Sequence, residues 1–542
     1  MFPKLKSKTW SSGLVKARIN ALVCSALLLP AAPAPAQLPT LGDGSDMSLA
    51  AERKLGDRIA KEIYRDPDYV DDPVLSEYMQ GIWEPLLASA RLRGELTPEM
   101  AERYAWVTLL IRDRSINAFA LPGGYMGVHL GLIGLVANRD ELASVLAHEI
   151  SHVTQRHISR LNSQQARNMP WLIGAMILGA LAASKSPNAA GALITGGQAA
   201  AVQSQLNFSR DMEREADRIG YNVMTQAGYQ PQGFVSMFEK LQQSSRLNDN
   251  GAYPYLRSHP LTTERIADMQ SRVGTGANTI ALPANLLGQS LDHAMLAARA
   301  RVLADPGVDA LQAWADEAGS PQFGALPPHR QAAALYAAAL VAAKSRDFGK
   351  AQLHLQKLTW QVKADVNAAR LVNLLGVELA LQEGEPRRAL VMLGVDPARE
   401  NLPRPELMLL SQAVQRLSAT ATATTTAPVR AAGQALLAST LQRMQAWVTL
   451  YPSDGVAWHQ LAQLASASGQ PLRALRAEAE VQAVQYDYPA ALDRLKAAQE
   501  FARQKGLGQQ AGEYIDASII DTRLRQLEAQ IKEASREQAL QR

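Results

Sequence analysis

Two histidines and a glutamate within five residues form the strongest chemical signal in this chain. They lie in the segment His148-Glu149-Ile150-Ser151-His152. Residues four apart share one face of a helix, so both imidazoles can bind one zinc ion while Glu149 reaches a water molecule beside it. Zinc in such a site activates water and polarises a carbonyl, and the carboxylate transfers protons. Because a surface helix can carry the same pattern, the interpretation requires a third ligand.

A second acidic helix, predicted over residues 209–226, supplies candidates for that ligand. Glu213, Ala216, Asp217 and Gly220 share one face at spacings of three, four and seven. The small residues allow close approach, so a glutamate here would complete a site with two histidines, one carboxylate and an open position for water. Asp217, one turn further on, would orient a ligating histidine or contact the reacting groups. Glu215 points away from this face, and a solvated acidic face is the alternative.

A small sheet must hold the histidine helix in place. Residues 106–111 and 125–130 are predicted strands, separated by a turn at Leu121-Pro122-Gly123-Gly124. The helix itself is predicted over residues 140–160, with Asn138 or Asp140 as its N-cap. An extended arm at residues 37–47 and helices over residues 49–88 precede the sheet.

Together, the histidine motif and Glu213-Arg214-Glu215-Ala216-Asp217 resemble the zinc metallopeptidase family that contains the CAAX prenyl endopeptidase and HtpX. The resemblance also includes residues 117–124 and Ser258-His259-Pro260 with Arg265, and it covers about residues 45 to 270. It implies a zincin-like metalloprotease domain with one zinc ion per subunit. It further implies that Glu213 is the third ligand and that Asp217 has a catalytic role beside Glu149.

The resemblance also implies roles for residues around the metal. His259 is expected to act as a fourth ligand or to stabilise an oxyanion, and Arg265 is expected to do the latter. The strand after the Gly-Gly turn is expected to pair with an extended substrate as an edge strand. Its four residues are Tyr125, Met126, Gly127 and Val128. His129 and His157 are interpreted as solvated bystanders.

The first 36 residues are predicted to be a cleavable signal peptide. Five cations and no acids precede an apolar run at residues 21–29 and Ala34-Pro35-Ala36. Removing five of 55 Lys and Arg residues leaves 50 against 51 Asp and Glu, so the exported chain gives no charge argument for nucleic acid. The only cysteine, Cys24, lies in the leader, which excludes a disulfide after cleavage.

An apolar stretch at residues 171–183 opens a segment, 171–206, whose role stays open. At about 13 residues the stretch is shorter than the roughly 20 needed to cross a bilayer. A lid, a hairpin buried in the core and a membrane-dipping segment with peripheral membrane contact are the three interpretations.

The C-terminal part is predicted to be helical and repetitive, so the fold class is α+β, mainly α. Trp458, Leu461, Gly469 and Ala474 fit the tetratricopeptide pattern, and residues 335–358 and 371–393 are weaker copies. A generic helical bundle is the alternative. The predicted domains are a metalloprotease at 37–275, a connecting segment at 276–332, repeats at 333–512 with a Thr/Ala linker at 418–428, and a final helix at 513–542.

Leader, zinc motif and repeats together predict a periplasmic endopeptidase. The resemblance implies that its substrates are misfolded or stalled outer-membrane proteins. By the resemblance, the repeats dock to the outer-membrane assembly machinery. The alternative is a chaperone or adaptor that binds clients through its repeats and keeps a gated, latent protease site.

Overall fold

A computed structural model describes residues 47–160, 210–247, 253–275, 290–304, 307–394, 401–420, 426–505 and 511–540. It is mainly helical with one small sheet, so the predicted α+β fold class is confirmed. No helix within those ranges combines the length and apolar character needed to cross a bilayer. The predicted signal peptide and the segment 171–206 lie outside the described residues.

The N-terminal half surrounds the sheet with helices. Four of these helices begin after a residue whose side-chain oxygen accepts a backbone N–H of the first turn, namely Ser48, Asp72, Thr97 and Asn138. The strands are β1 (Tyr69–Val70), β2 (Val107–Ile111), β3 (Ala118–Leu121) and β4 (Tyr125–His129). The helices are α1 (Leu49–Arg65), α2 (Pro73–Leu92), α3 (Pro98–Arg103), α4 (Leu130–Leu135), α5 (Arg139–Thr154), α6 (Arg210–Gln226), α7 (Gln232–Leu247), α8 (Pro254–Ser258) and α9 (Thr263–Thr275).

The order of strands in the sheet is β1-β2-β4-β3. Strand β4 pairs in parallel with β2 and antiparallel with β3, with Ala120 opposite Met126. The prediction that Tyr125, Met126, Gly127 and Val128 form a substrate edge strand is therefore wrong. The tight turn at Pro122–Gly124 folds β3 back along β4, so within the described sheet β3 takes the outer position.

The C-terminal half is a series of helices that begins inside the predicted connecting segment. Residues 276–332 were expected to link two domains, yet they contain two helices, the first of which packs on α4. The Thr/Ala linker is also shorter than predicted, because helix extends through Ala419 and resumes at Ala427. The helices are α10 (Leu291–Leu303), α11 (Val308–Glu317), α12 (Pro328–Lys344), α13 (Phe348–Val362), α14 (Val366–Gln382), α15 (Pro386–Leu393), α16 (Arg404–Ala419), α17 (Ala427–Leu450), α18 (Gly455–Ala467), α19 (Pro471–Val484), α20 (Tyr488–Lys505) and α21 (Ala511–Leu540).

The helical hairpins share one turn geometry. Gly384 and Gly469 have φ of 81° and 68°, the left-handed region that favours glycine, and each precedes a buried alanine by five residues. Two further hairpins have the same arrangement without glycine. Arg346 and Tyr486 are left-handed there, with φ of 58° and 59°, five residues before the buried residues Ala351 and Ala491. The hairpin containing Arg346 lies in the predicted copy at residues 335–358, whereas the hairpin containing Tyr486 was not predicted.

Three arginines join the two halves without a disulfide, as the cysteine count predicts. Each binds one acid near the start of α2 and one acid among the C-terminal helices. Arg299 bridges Asp72 and Glu378, Arg370 bridges Glu77 and Glu406, and Arg404 bridges Asp71 and Asp454, all at 2.6–3.1 Å. One hydrophobic core also runs from Val74 to Ala413, so the boundary predicted near residue 333 does not separate two cores.

Arg299 is the most buried of the three bridges, with 4% of its surface exposed. We expect Arg299→Met to lower the free energy of unfolding by about 3–5 kcal/mol, because it leaves Asp72 and Glu378 buried without their cation. Urea denaturation followed by circular dichroism measures the change. The matched control is Arg370→Met, because the bridge of Arg370 is partly exposed. Its decrease in the free energy of unfolding should be clearly smaller, and equal decreases in the two variants would contradict the role given to burial.

A separate contact joins the later C-terminal helices to the N-terminal half. The hydroxyl of Tyr486 lies 3.1 Å from Arg53 Nη2 and also hydrogen-bonds the hydroxyl of Tyr125 at the start of β4. The next residue, Asp487, pairs with Arg65 and lies 3.5 Å from Lys61 on α1. The helices of the C-terminal half therefore contact the N-terminal half at two places.

Candidate metal centre and active site

Helix α5 buries both histidines of the motif on one side. It begins after Asn138, whose side chain accepts a hydrogen bond from Glu141 N at 2.9 Å, and all its residues from Glu141 to Thr154 are buried. The Nε2 atoms of His148 and His152, one turn apart, lie 3.0 Å from each other. The helix predicted to reach residue 160 instead breaks at Gln155 and Arg156.

Helix α6 brings Glu213 to these histidines because small residues let the two helices approach closely. A Cβ at Gly220 would lie 2.9 Å from His148 N, a distance that side chains do not tolerate, and Ala216 is fully buried. The carboxylate of Glu213 then lies between both rings. Its Oε1 is 3.5 Å from His152 Nε2, and its Oε2 is 3.5 Å from His148 Nε2.

His259 is the fourth member of the cluster. It follows helix α8 and stacks on Tyr255, with ring centroids 4.7 Å apart. Its Nδ1 lies 3.3 Å from His148 Nε2 and 3.1 Å from Glu213 Oε1. One donor atom from each of the four buried residues therefore lies within 4.8 Å of the others.

The donor set fits a zinc ion. Imidazole nitrogens and a carboxylate oxygen are ligands that zinc takes in tetrahedral sites. A neutral imidazole has one bare nitrogen, and here three ring nitrogens and a carboxylate converge on one another in a buried space. A cation at their centre satisfies all four at once. Because a catalytic zinc keeps one position for water, a zinc ion held by the other three residues would have that position open only with His259 outside the set.

Glu149 is directed toward the sheet. Its Oε2 accepts a hydrogen bond from Ala120 N of β3 at 3.0 Å. Oε1 makes no hydrogen bond within the described part of the chain, although His259 Nε2 lies 3.3 Å away. Complete burial raises the pKa of Glu149 above its ordinary value. A carboxylate with a raised pKa beside the donor cluster is suited to proton transfer.

Asp217 and Arg265 lie behind the cluster. Asp217 Oδ1 is 2.9 Å from His148 Nδ1, and both Asp217 oxygens accept from Arg265 at 2.6 and 2.8 Å. Arg265 Nη1 lies 2.8 Å from Glu213 Oε2. Burial raises the pKa of Asp217, but the charge and hydrogen bonds of Arg265 outweigh burial and hold this pKa below its ordinary value. Asp217 therefore contacts a histidine of the motif, and Arg265 is engaged by two carboxylates.

Comparisons with known proteins agree with this geometry. The profile of peptidase family M48 matches residues 82–273, which include the whole cluster. A Vibrio cholerae relative is 35% identical over 347 residues, which are 62% of this chain and 67% of that protein. The chain belongs to peptidase family M48.

Two further relatives are named beta-barrel assembly-enhancing protease. The one from Yersinia pestis is 28% identical over 451 residues, 83% of this chain and 84% of its own length. The one from Escherichia coli strain K12 is 34% identical over 278 residues, so the match spans 50% of this chain and about half, 53%, of that relative. Membership of M48, a zinc-dependent family, makes the chain a zinc metallopeptidase and assigns the donor cluster to zinc.

Two residues that sequence analysis set aside belong to the surroundings of this M48 site. His157 is buried, not solvated, and its Nδ1 lies 2.8 Å from His152 Nδ1. Its Nε2 lies 3.1 Å from Glu215 Oε2, so Glu215 also faces the site indirectly. The density of histidine was the available signal, since three of the nine in the chain fall between residues 148 and 157. His129 is buried as well, beside Ser115.

The metal-free M48 site should bind zinc more tightly as the pH rises. Burial alone would lower the pKa of His148, but hydrogen bonds and charge from Asp217 and Glu213 raise this pKa from 6.5 to about 9. Zinc must displace this proton, so the apparent affinity should increase by up to about tenfold per pH unit between pH 6.5 and 9. Competition with a chromophoric chelator at pH 6.5, 7.5 and 8.5 measures it. A flat profile would show that His148 carries no proton in this range.

Proposed function

We propose that this M48 peptidase is exported to the periplasm and acts in outer-membrane protein assembly by hydrolysing misfolded or stalled clients. The observation that carries the proposal is the position of Glu149, which is held by the outer strand β3 next to a buried four-donor cluster. The names of the relatives support the part that concerns the outer membrane. The predicted leader, residues 1–36, supports export.

The outer side of β3 is the proposed place for an extended client. Ala120 N points away from β4 to Glu149, so this side of the strand faces the reactive carboxylate. A peptide that pairs with β3 would place its main chain along the site and would be recognised with little dependence on sequence. Such pairing suits an enzyme whose clients share unfolded structure but not sequence.

Proton transfer is assigned to Glu149. When bound by His148, His152 and Glu213, zinc supplies a Lewis acid for the scissile carbonyl. Glu149 takes the proton of the attacking water and returns it to the leaving amine. For this to occur, water must reach Glu149 Oε1, the oxygen that Ala120 N does not occupy, and His259 must withdraw from the donor cluster.

A groove of about 760 Å³ among the C-terminal helices is the proposed site for client recruitment. Its lining is rich in side chains that both donate and accept hydrogen bonds, with small residues between them. The polar members include Gln415, His459, Gln463, Ser466, Gln482 and Arg494. Amide side chains of this kind match the alternating donors and acceptors of an extended main chain. The repeats also offer the surface that would dock to the assembly machinery.

Cleavage of a purified outer-membrane barrel tests the proposal. We expect the zinc-loaded protein to cleave an unfolded barrel protein that has just been diluted from urea into buffer. The same barrel protein, once folded into vesicles, should not be cleaved. Gel electrophoresis and mass spectrometry of the fragments measure both. Equal cleavage of folded and unfolded barrels, or of neither, would contradict it.

The groove is best tested in the full chain, because the shared core rules out removing the repeats cleanly. Ser466→Trp fills the groove and should raise KM for an unfolded barrel while leaving cleavage of a short peptide unchanged. Ser453→Trp, at an exposed position outside the groove, is the matched control. If both variants behave alike, the groove does not recruit clients.

A chaperone or adaptor role is the second candidate, and the position of His259 favours it. His259 lies among the donors and beside Glu149, so the site is closed in this structure. Barrel assembly in the presence of Glu149→Gln separates the two roles. Full support of assembly by this variant would favour the chaperone role, whereas loss of support would favour hydrolysis.

A further inference from the structure

A break in the motif helix places His157 against His152. On a continuous helix, five residues correspond to about 500°, so residues 152 and 157 would point about 140° apart. Here Arg156 takes a left-handed φ of 55°, and the chain turns before His157. The guanidinium of Arg156 is held by Glu52 of α1 at 2.6 and 2.8 Å. A left-handed arginine is strained and persists only where its surroundings fix it.

The hydrogen bonds beyond this break run in one direction. His152 presents Nε2 to the metal donors, so the proton of the neutral ring must be on Nδ1 for Nε2 to bind a cation. His157 Nδ1, at 2.8 Å, must then accept that proton. The proton of His157 is consequently on Nε2, where Glu215 Oε2 accepts it at 3.1 Å, and Arg160 donates to the same oxygen at 2.9 Å.

One pair of tautomers therefore satisfies both rings: His152 carries its proton on Nδ1, and His157 carries its proton on Nε2.

We propose that Glu215 and His157 are positioning residues that fix His152 in the tautomer able to bind zinc. If His157 carried its proton on Nδ1, that proton would point at His152 Nδ1. His152 would then have to carry its own proton on Nε2 and could not bind zinc through that nitrogen. Glu215 prevents this because a carboxylate only accepts. The inference rests on the zinc site of the proposed endopeptidase and is independent of its clients.

The two histidine ligands thus have different supports. His148 faces the carboxylate of Asp217 directly, at 2.9 Å, whereas His152 faces a carboxylate only through an intervening ring. Outer partners of this kind orient metal-bound histidines and raise their basicity. Asp217 therefore places negative charge beside His148, whereas Glu215 mainly fixes which nitrogen of His152 carries the proton.

Zinc affinity of the full-length protein tests the proposal. His157→Leu removes the acceptor and should raise the zinc Kd by about 10–100-fold. His157→Gln restores an acceptor oxygen and should recover most of the affinity. Glu215→Leu, at a partly exposed position, should weaken binding less, and the double variant with His157→Leu should be no worse than His157→Leu alone. The cobalt-substituted protein should show matching shifts in its visible spectrum.

Two controls separate positioning from general destabilisation. His293→Leu removes a buried histidine far from the site, which lies 2.6 Å from the Tyr78 hydroxyl, and Asp211→Leu removes an exposed acid on the same helix as Glu215. Both should keep the zinc Kd and the cobalt spectrum of the parent protein. Should His293→Leu weaken zinc as much as His157→Leu, the effect would be structural and the proposal would fail.

A metal-free readout uses the full chain labelled with nitrogen-15 at its nine histidines. Nitrogen chemical shifts should show His152 protonated at Nδ1 and His157 at Nε2. Glu215→Leu should populate the other tautomer of both rings. An Nε2-protonated His152 in the parent protein, or no change in Glu215→Leu, would overturn the proposal. Neither result depends on hydrolysis, so failure here is distinct from failure of the proposed function.

Discussion

Glu149→Gln lowers kcat for hydrolysis of an unfolded protein or peptide by about 10²–10⁴-fold, the range of general acid–base catalysis. Glutamine keeps the shape of the side chain but cannot take a proton from water. The zinc content should stay near one ion per chain, because the three ligands are unchanged. Initial rates with a quenched fluorescent peptide and metal analysis of the same sample measure both quantities.

Glu141→Gln is the matched control for this substitution. Glu141 is a buried carboxylate on the same helix, but it binds Ala137 N and Lys240, away from the metal donors. Its replacement should lower stability while leaving the rate per folded molecule unchanged. Retained hydrolysis in Glu149→Gln would rule out proton transfer by this residue and with it the assigned mechanism.

Glu213→Gln should weaken zinc binding by more than the roughly 10–100-fold that loss of an outer partner costs. Glu213 is the only carboxylate in the donor set, and its charge offsets that of the cation. Although burial opposes ionisation, His259 and His148 hold the pKa of Glu213 well below its ordinary value, so it is a ready anion at neutral pH. Chelator competition measures the zinc Kd.

The comparison for this prediction is Glu215→Gln, two residues along the same helix. Glutamine at position 215 still offers an oxygen to His157 but can also donate from its NH2 group, so the zinc Kd should rise by far less than in Glu213→Gln. Similar losses in the two variants would mean that Glu213 is not the ligand. Urea denaturation of both metal-free proteins shows whether either loss reflects unfolding.

Local spacing was enough to predict the two helices that carry His148, His152 and Glu213, whereas the choice of Glu213 and His259 as donors came from the family resemblance. The four-residue interval of the histidines and the Ala216 and Gly220 face each depend only on helix geometry, which the sequence expresses directly. The N-cap at Asn138 follows from the same short-range chemistry. These features need no knowledge of distant residues.

The features that were missed depend on distant residues. Strand β4 lies inside the sheet because the chain places β3 beyond it, a matter of strand order that alternation along one strand does not reveal. The break at Arg156 depends on Glu52, more than a hundred positions earlier, and without it His157 would point elsewhere. The helix α10 was hidden inside a presumed linker because its partners are supplied by the rest of the fold.

The contact at Tyr486 has a consequence for the order in which the molecule folds. Tyr486 completes a polar cluster with Arg53, Asp57 and Tyr125, and it lies 361 residues beyond Tyr125 and 433 beyond Arg53. Contacts of such long range form late, because a large loop must close first. The motif helix is therefore expected to form and pack before Tyr486 reaches Arg53 and Tyr125. A slow final folding phase, weakened when Tyr486 and Asp487 are both replaced by alanine, is the expected kinetic signature of that contact.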